Sequence, residues 1–123
     1  MKILIVDDSK TMRSIVKNCL ATLGYSDVEE ACDGRDALSK AVACSPGLVL
    51  LDWNMPNMNG LQFLQAFRAS GNKTPVIMVT TEAQKPRVIE AIKAGASDYV
   101  VKPFTPDVLA HHVSRTIEKT KAA

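Results

Sequence analysis

Polar side chains that could bind a metal ion or take part in a reaction directly follow four of the apolar runs in this sequence. They are an adjacent acid pair, a third acid, two hydroxyls and an amine: Asp7 and Asp8, Asp52, Thr80 and Thr81, and Lys102. Adjacent carboxylates in a low-dielectric environment repel each other unless a cation or hydrogen-bond donors meet them. Carboxylate oxygens are hard ligands that suit Mg²⁺. The pattern therefore predicts a magnesium site, with a lysine offsetting part of the negative charge, if the fold gathers these residues.

The apolar runs alternate with helical patterns in a (βα)5 order. The predicted strands cover residues 2–6, 27–31, 47–51, 76–79 and 98–101. The third and fourth are nearly unbroken apolar runs, which is typical of central parallel strands. Between the strands, apolar residues recur at intervals of 3 and 4 around residues 12–23, 37–42, 61–67 and 88–92, and a fifth helix begins at Thr105-Pro106-Asp107. This order predicts an α/β fold with a doubly wound, five-stranded parallel sheet.

The carboxyl ends of parallel strands lie along one edge of a sheet, which is where doubly wound folds bind ligands. If the first and third strands are neighbours, Asp7, Asp8 and Asp52 converge there. A polar residue at one strand end often only caps the following helix. An acid pair, an acid, a hydroxyl and a lysine at four strand ends are better explained by a shared site.

Composition limits the classes of function. A chain of 123 residues fits one domain, and its 15 basic and 13 acidic residues are too balanced to indicate nucleic-acid binding. No apolar run is long enough for a membrane span or an export signal, so we expect a cytoplasmic protein with no membrane partner. Cys19, Cys32 and Cys44 lack paired spacing and are expected to be buried thiols. His111 and His112 diverge by about 100° on a helix and do not form a metal pair.

Four ordered motifs resemble a known family over essentially the whole chain: VDDSKTMR, LLDWNMPNMNG, MVTTEA and AGASDYVVKPF. They are similar to the response-regulator receiver domains of two-component signalling, and most similar to the stand-alone CheY-type chemotaxis regulators. The resemblance implies a flavodoxin-like, CheY-like sheet with strand order 2-1-3-4-5. It also implies a single receiver domain over residues 1–123 with no output domain, and a monomer by default.

The resemblance implies roles for the polar residues at the sheet edge. Asp52 would accept a phosphoryl group, and Mg²⁺ would be held by Asp7, Asp8, Asp52 and the backbone carbonyl of Asn54. A carboxylate attacks an anionic phosphoryl group poorly unless both charges are offset, which agrees with this assignment. The protein would be a signalling receiver with magnesium-dependent self-phosphorylation and self-dephosphorylation chemistry, and not an enzyme in its own right.

Further positions are assigned by the same resemblance. Phosphate binding and switching are expected of Thr80, Thr81, Lys102 and Tyr99, with Tyr99 swinging inward on activation. Thr81 departs from the alanine or serine that many receivers have at this place, and its branched side chain is expected to narrow access to Asp52. Asn54 and Glu82 are expected to modulate the rates. Lys102-Pro103 is the candidate for a cis peptide bond, which an X-Pro sequence permits.

Two outputs are compatible with a receiver. The resemblance favours a chemotaxis switch, phosphorylated by a histidine kinase, whose surface of helix four, strand five and helix five binds the flagellar motor switch. A phosphatase is a further candidate partner. The alternative is a phosphotransfer intermediate or phosphate sink in another two-component pathway.

Two other kinds of protein fit poorly. An aspartate-nucleophile phosphatase needs a second acid two residues after the nucleophile, where this chain has Asn54. A flavin-binding module needs a phosphate-binding first loop, and the sequence DDSK would repel an anion.

Overall fold

Five short strands and five helices alternate in the computed structural model, which describes residues 1–122 and the side chains of residues 1–120. The strands are β1 (Ile3–Val6), β2 (Val28–Ala31), β3 (Leu48–Leu51), β4 (Val76–Thr80) and β5 (Asp98–Val101). The helices are α1 (Lys10–Thr22), α2 (Gly34–Cys44), α3 (Gly60–Ala69), α4 (Lys85–Lys93) and α5 (Pro106–Ala122). All ten predicted elements are present, with boundaries shifted by a few residues.

All five strands are parallel, in the order β2-β1-β3-β4-β5. The predicted fold class and strand order are confirmed. Val6 of β1 pairs with Leu51 of β3, and the Asp52 N–H donates to the Val6 carbonyl at 2.9 Å. Asp7 and Asp52, the next residues along each strand, therefore leave the sheet side by side. Strand order reverses between these two strands, so this edge is the topological switch point.

The sheet separates two apolar layers, because successive strand residues face opposite sides. Leu4, Val6, Val49 and Leu51 pack toward α2, α3 and α4. Ile3, Ile5, Leu48 and Leu50 belong to the cluster that contains the buried residues of α1 and α5. Both faces of β1 and β3 are thus covered, which explains why these strands are apolar at every position and why polar residues begin only where the strands end.

Polar side chains cap the starts of α1 and α3, the helices that follow β1 and β3. Ser9 begins α1 by accepting the Met12 N–H at 3.2 Å. Asn59 and Gln62 form a capping box at the start of α3, in which each side chain accepts the other residue's backbone N–H. These caps set where the loops after β1 and β3 end.

Some apolar and thiol side chains are more exposed than the sequence patterns suggested. Val42 of α2 is 84% exposed, and Ile89 and Ile92 of α4 are also exposed. Helix α4 contributes the small residue Ala91 to the core instead, so its larger apolar residues face outward. The prediction that all the cysteines are buried holds for Cys19 but is wrong for Cys32, which is exposed just after β2, and for Cys44, which is only half-buried. Within residues 1–122, no helix has the length and hydropathy needed to cross a membrane.

Candidate functional site

Three carboxylates meet at the edge of the sheet where β1 and β3 end. One ligand oxygen from each of Asp7, Asp8 and Asp52 can be chosen so that all three lie within 4.8 Å of one another. Asp7 and Asp52 are only 4% and 7% exposed, whereas Asp8 is exposed. The structure thus brings together the acids that the sequence placed at two separate strand ends. We call this group, with Lys102, the acidic edge.

Backbone bonds hold Asp7 at the end of β1. Its N–H donates to the Ala31 carbonyl at 3.1 Å, which extends the β1–β2 ladder by one residue. Its carboxylate accepts the Ser9 N–H at 2.9 Å, which turns the chain toward α1. This turn leaves the intervening residue, Asp8, on the solvent side of the site.

The loop after β3 is held against the start of α3 by a close backbone approach. The Gly60 N–H donates to the Trp53 carbonyl at 2.9 Å. A Cβ atom added to Gly60 would lie 2.1 Å from the Asp52 carbonyl oxygen, so no other residue fits without moving the loop. The Trp53 N–H donates back to Asp52 Oδ1 at 2.8 Å and orients that carboxylate.

Lys102 is the basic member of the acidic edge. Its Nζ atom donates to Asp7 Oδ2 at 2.7 Å and lies 3.6 Å from Asp52 Oδ2. The Lys102 N–H donates to the Thr80 carbonyl at 2.8 Å, and the Lys102–Pro103 peptide bond is cis. One mostly buried ammonium group therefore contacts two of the three carboxylates, those of Asp7 and Asp52.

The environment of Asp52 disfavours its charged form. Burial raises the pKa of the Asp52 carboxyl, and the neighbouring Asp7 carboxylate raises it further. The Lys102 charge and hydrogen bonds from Thr80 and the Trp53 N–H act in the other direction, but the net shift is upward. Asp52 consequently carries a negative charge that its surroundings only partly compensate, which makes it a candidate functional residue.

The donor set fits a divalent cation with hard oxygen ligands. Three negative charges and one positive charge leave an excess of two negative charges, which one divalent ion would balance. Ligands of an octahedral Mg²⁺ lie about 3 Å apart when adjacent and about 4.2 Å apart when opposite, and these oxygens all lie within 4.8 Å of one another. Because Asp8 is exposed, solvent can supply the remaining ligands. The residues present therefore match a magnesium ion that keeps several waters.

The other predicted site residues lie around the acidic edge at different depths. Thr80 is fully buried at the end of β4, and its hydroxyl accepts the Glu82 N–H at 3.3 Å. Thr81 is exposed, so the two adjacent hydroxyls have different environments. The Tyr99 hydroxyl donates to the Glu82 carbonyl. Burial raises the pKa of Tyr99, and the nearby Glu82 and Asp52 charges add to this effect.

The two residues predicted to modulate the rates of the phosphoryl chemistry face each other on the solvent side of Asp52. The side chain of Asn54 donates from Nδ2 to Glu82 Oε1 at 3.3 Å, and Asn54 is exposed. Each residue follows a central site position by two residues along its own loop. Their contact connects the loop after β3 to the loop after β4 on the solvent side of Asp52.

Two arginine contacts near the site were not predicted from the sequence. The Arg13 guanidinium on α1 bonds to the Asp7 carbonyl, and the Arg87 guanidinium on α4 lies 5.5 Å from the centre of the Trp53 ring. Both arginines occur in stretches that read as ordinary amphipathic helix, where a charged residue usually faces solvent. Only the tertiary arrangement shows which of these charges turn toward the loops.

Together the fold and the acidic edge define a doubly wound α/β protein with a cation-compatible carboxylate site at its switch point. Residues 3–114 match the family model of the response regulator receiver domain. The chain therefore belongs to this family and is a CheY-like receiver domain, a phosphorylation-activated response regulator.

Individual relatives cover nearly the whole chain. Chemotaxis protein CheY1 of Helicobacter pylori strain J99 is 54% identical over 112 residues, which are 89% of this chain and 90% of that protein. Chemotaxis protein CheY of Pseudomonas aeruginosa is 46% identical over 121 residues, covering 97% and 98% of the two chains. Among solved structures, the Vibrio cholerae chemotaxis protein CheY4 is 40% identical and superimposes with a TM-score of 0.86 over 94% of this chain and 97% of that chain.

Proposed function

We propose that this receiver accepts a phosphoryl group on Asp52 from the phosphohistidine of a histidine kinase, with Mg²⁺ bound at the acidic edge. The observation that carries this proposal is the convergence of Asp7, Asp8 and Lys102 on the buried carboxylate of Asp52. In the transfer, an Asp52 oxygen forms a bond to phosphorus as the bond from phosphorus to the histidine nitrogen breaks. The bound ion would offset the negative charge on the phosphoryl group. We propose the backbone carbonyl of Asn54 as its fourth protein ligand.

Lys102 and Thr80 are the side chains that would recognise the phosphoryl group. Lys102 Nζ lies 3.6 Å from Asp52 Oδ2, so a group attached to that carboxylate comes within its reach. A lysine ammonium is a compact charge on a flexible stem, and it can exchange its present bond to Asp7 for a phosphoryl oxygen. The Thr80 hydroxyl lies close enough to Asp52 to lower the pKa of that carboxyl, and it can donate to a second phosphoryl oxygen.

The switch would run from Thr80 to the surface formed by α4, β5 and α5. Thr80 and Tyr99 both contact Glu82, Thr80 through the Glu82 N–H and Tyr99 through its carbonyl. If the Thr80 hydroxyl moves to the phosphoryl group, it leaves the Glu82 N–H and changes the loop to which Tyr99 is bonded. Phosphorylation would then shift the population of two loop packings, each with its own Tyr99 position. Asn54, Thr81 and Glu82 flank the entrance and would set the rates by controlling water access.

The relatives favour a chemotaxis output, in which the surface of α4, β5 and α5 binds the flagellar motor switch. This surface exposes four apolar side chains: Ile89, Ile92, Val101 and Val108. Residues 85–121 also contain seven Lys or Arg and four Asp or Glu, which favours an acidic or amphipathic partner segment. We place this receiver in the cytoplasm, as a monomer, with a phosphatase as a further partner.

Mass spectrometry after treatment with phosphoramidate tests the phosphoacceptor. We expect one phosphoryl group on Asp52 of the wild type, formed only with Mg²⁺. Asp52→Asn should remain unlabelled, and Asp98→Asn, which changes another mostly buried acid, should be labelled normally. Undiminished labelling of Asp52→Asn would remove Asp52 from this role.

Binding to a peptide from the motor switch, with and without beryllofluoride as a phosphoryl mimic, tests the output. A motor-binding switch should bind the peptide at least about tenfold more tightly in the presence of the mimic, a coupling of about 1.4 kcal/mol. Equal affinity in both states would instead support the phosphotransfer intermediate or phosphate sink.

A further inference from the structure

Arg13 reaches back from α1 to the loop that carries two of the carboxylates. Its Nη1 atom donates to the Asp7 carbonyl oxygen at 2.6 Å, and its Nε atom donates to Glu30 Oε1 on β2 at 3.1 Å. Although arginine is usually exposed, this side chain is only 15% exposed. One rigid guanidinium thus joins the backbone of the loop after β1 to a side chain of the neighbouring strand.

The position of Asp8 depends on this loop backbone. No hydrogen bond or ion pair among the described residues holds the Asp8 side chain itself. The Asp7 carboxylate, in contrast, is fixed by the Ser9 N–H and by Lys102. The bond from Arg13 falls on the peptide group that joins Asp7 to Asp8, so it restrains the plane from which the Asp8 side chain extends.

We propose that Arg13 is a positioning residue for the divalent cation, and that it holds the Asp7–Asp8 peptide group so that Asp8 faces the ion. Glu30 is the second anchor of this restraint. The inference rests on the proposed cation site, but it concerns a residue that touches neither the ion nor the phosphoryl group. Metal sites commonly depend on such outer contacts, whose loss weakens metal binding about 10- to 100-fold.

The direction in which Mg²⁺ affinity changes when Arg13 is removed shows whether this residue acts by positioning the loop or only through its charge. Arg13 is a positive charge close to a site for a divalent cation, so its charge alone opposes binding. If Arg13 acted only through its charge, its removal would tighten Mg²⁺ binding. If it holds the loop, its removal weakens binding despite the more favourable charge.

Titration calorimetry of Mg²⁺ into the wild type, Arg13→Met and Lys17→Met tests this proposal. The control is matched, because Lys17 Nζ lies 3.9 Å from the other Glu30 oxygen and is also on α1, but does not contact the loop. We expect Arg13→Met to raise the Mg²⁺ dissociation constant about tenfold. We expect Lys17→Met to stay within about twofold of the wild type, because an exposed charge is screened.

A second variant, Arg13→Lys, keeps the charge and one donor and should recover part of the lost affinity. The free energy of unfolding without Mg²⁺, measured for each variant, separates a loss of fold from a loss of cation affinity. The proposal is overturned if folded Arg13→Met binds Mg²⁺ as tightly as the wild type or more tightly. A wild type that binds no Mg²⁺ at millimolar concentrations would instead refute the proposed cation site and this inference with it.

Discussion

Two regions of this molecule bury carboxylates, and they do so with different amounts of opposing charge. At the acidic edge, three carboxylates lie close together, and the ammonium group of Lys102 contacts only those of Asp7 and Asp52. At the start of β5, the single carboxylate of Asp98 meets two basic side chains of α5. The distances from Asp98 Oδ2 to His112 Nδ1 and to Arg115 Nη2 are both 2.7 Å. We call these three residues the Asp98 cluster.

The pKa shifts follow this difference. Burial raises the pKa of the Asp52 carboxyl, and the single lysine does not reverse the effect. Burial also acts to raise the pKa of Asp98, but the contacts with His112 and Arg115 together with the hydrogen bond from the Tyr99 N–H outweigh it and hold that pKa below its ordinary value. The Asp98 cluster therefore stabilises the fold and ties α5 to β5. The acidic edge keeps a charge excess that is unfavourable without a cation, as is common at functional sites.

The largest expected effect concerns Mg²⁺ itself. Mg²⁺ at several millimolar should raise the melting temperature of the wild type, because it binds only the folded state and relieves the repulsion there. Asp8→Ala removes a proposed ligand that is exposed and not needed for packing, so most of this shift should be lost. Asp98→Asn should keep the full Mg²⁺ shift, whatever its own melting temperature. Equal shifts in wild type and Asp8→Ala, measured by calorimetric scanning, would count against a shared site.

A smaller effect is that Asp98→Asn and Asp52→Asn should change the free energy of unfolding in opposite directions. Without Mg²⁺ at pH 7, Asp98→Asn should lower the free energy of unfolding by about 1–3 kcal/mol, since it weakens two charge-assisted hydrogen bonds. Asp52→Asn should raise it by about 1 kcal/mol, since a buried and incompletely paired charge is removed. Urea unfolding of the wild type and both variants measures the two changes in the free energy of unfolding. A loss of stability in Asp52→Asn similar to that in Asp98→Asn would show that the two regions do not differ as described.

The smallest effect is the pH dependence of the two stability differences, each measured between a variant and the wild type. The Asp52 pKa is raised in the folded state, so its penalty exists only where the carboxylate is charged. The advantage of Asp52→Asn should be complete above the raised folded-state pKa and disappear as the pH falls toward the unfolded value of about 3.8. The Asp98 pKa is lowered, so its contribution is complete above 3.8 and is lost only below that value. Urea unfolding at pH 7 and pH 4.5 should show the Asp52 difference shrinking while the Asp98 difference persists.

The fold was accessible from the sequence because the central strands are apolar at every position. A run such as 47–51 can be buried on both faces only in a covered parallel sheet, and the polar residues after it mark the sheet edge. The same logic places Asp7, Asp8, Asp52 and Lys102 at one edge of the sheet. For these residues, a place directly after an apolar strand is enough to predict a place at the carboxyl edge of the sheet.

Other features depend on tertiary packing that a one-dimensional pattern does not contain. Ile89 and Ile92 have helical spacing, yet α4 turns Ala91 to the core, because a small residue allows close approach to the sheet. Arg13 lies in an ordinary amphipathic pattern, and its contact with Asp7 requires α1 and β2 to be in place. The Asp98 cluster likewise joins residues 14 and 17 positions apart. Such contacts depend on how the helices pack against the sheet, so the sequence pattern alone does not predict them.

The most direct test of the central claim is the location of a divalent cation in crystals grown with Mn²⁺, which replaces Mg²⁺ at oxygen sites and scatters anomalously. We expect one anomalous peak at the acidic edge, within about 2.3 Å of carboxylate oxygens from both Asp8 and Asp52. The same experiment on Asp8→Ala should show a weaker peak or none. No peak at this edge in wild-type crystals, or a peak that is not bonded to Asp52, would contradict the account.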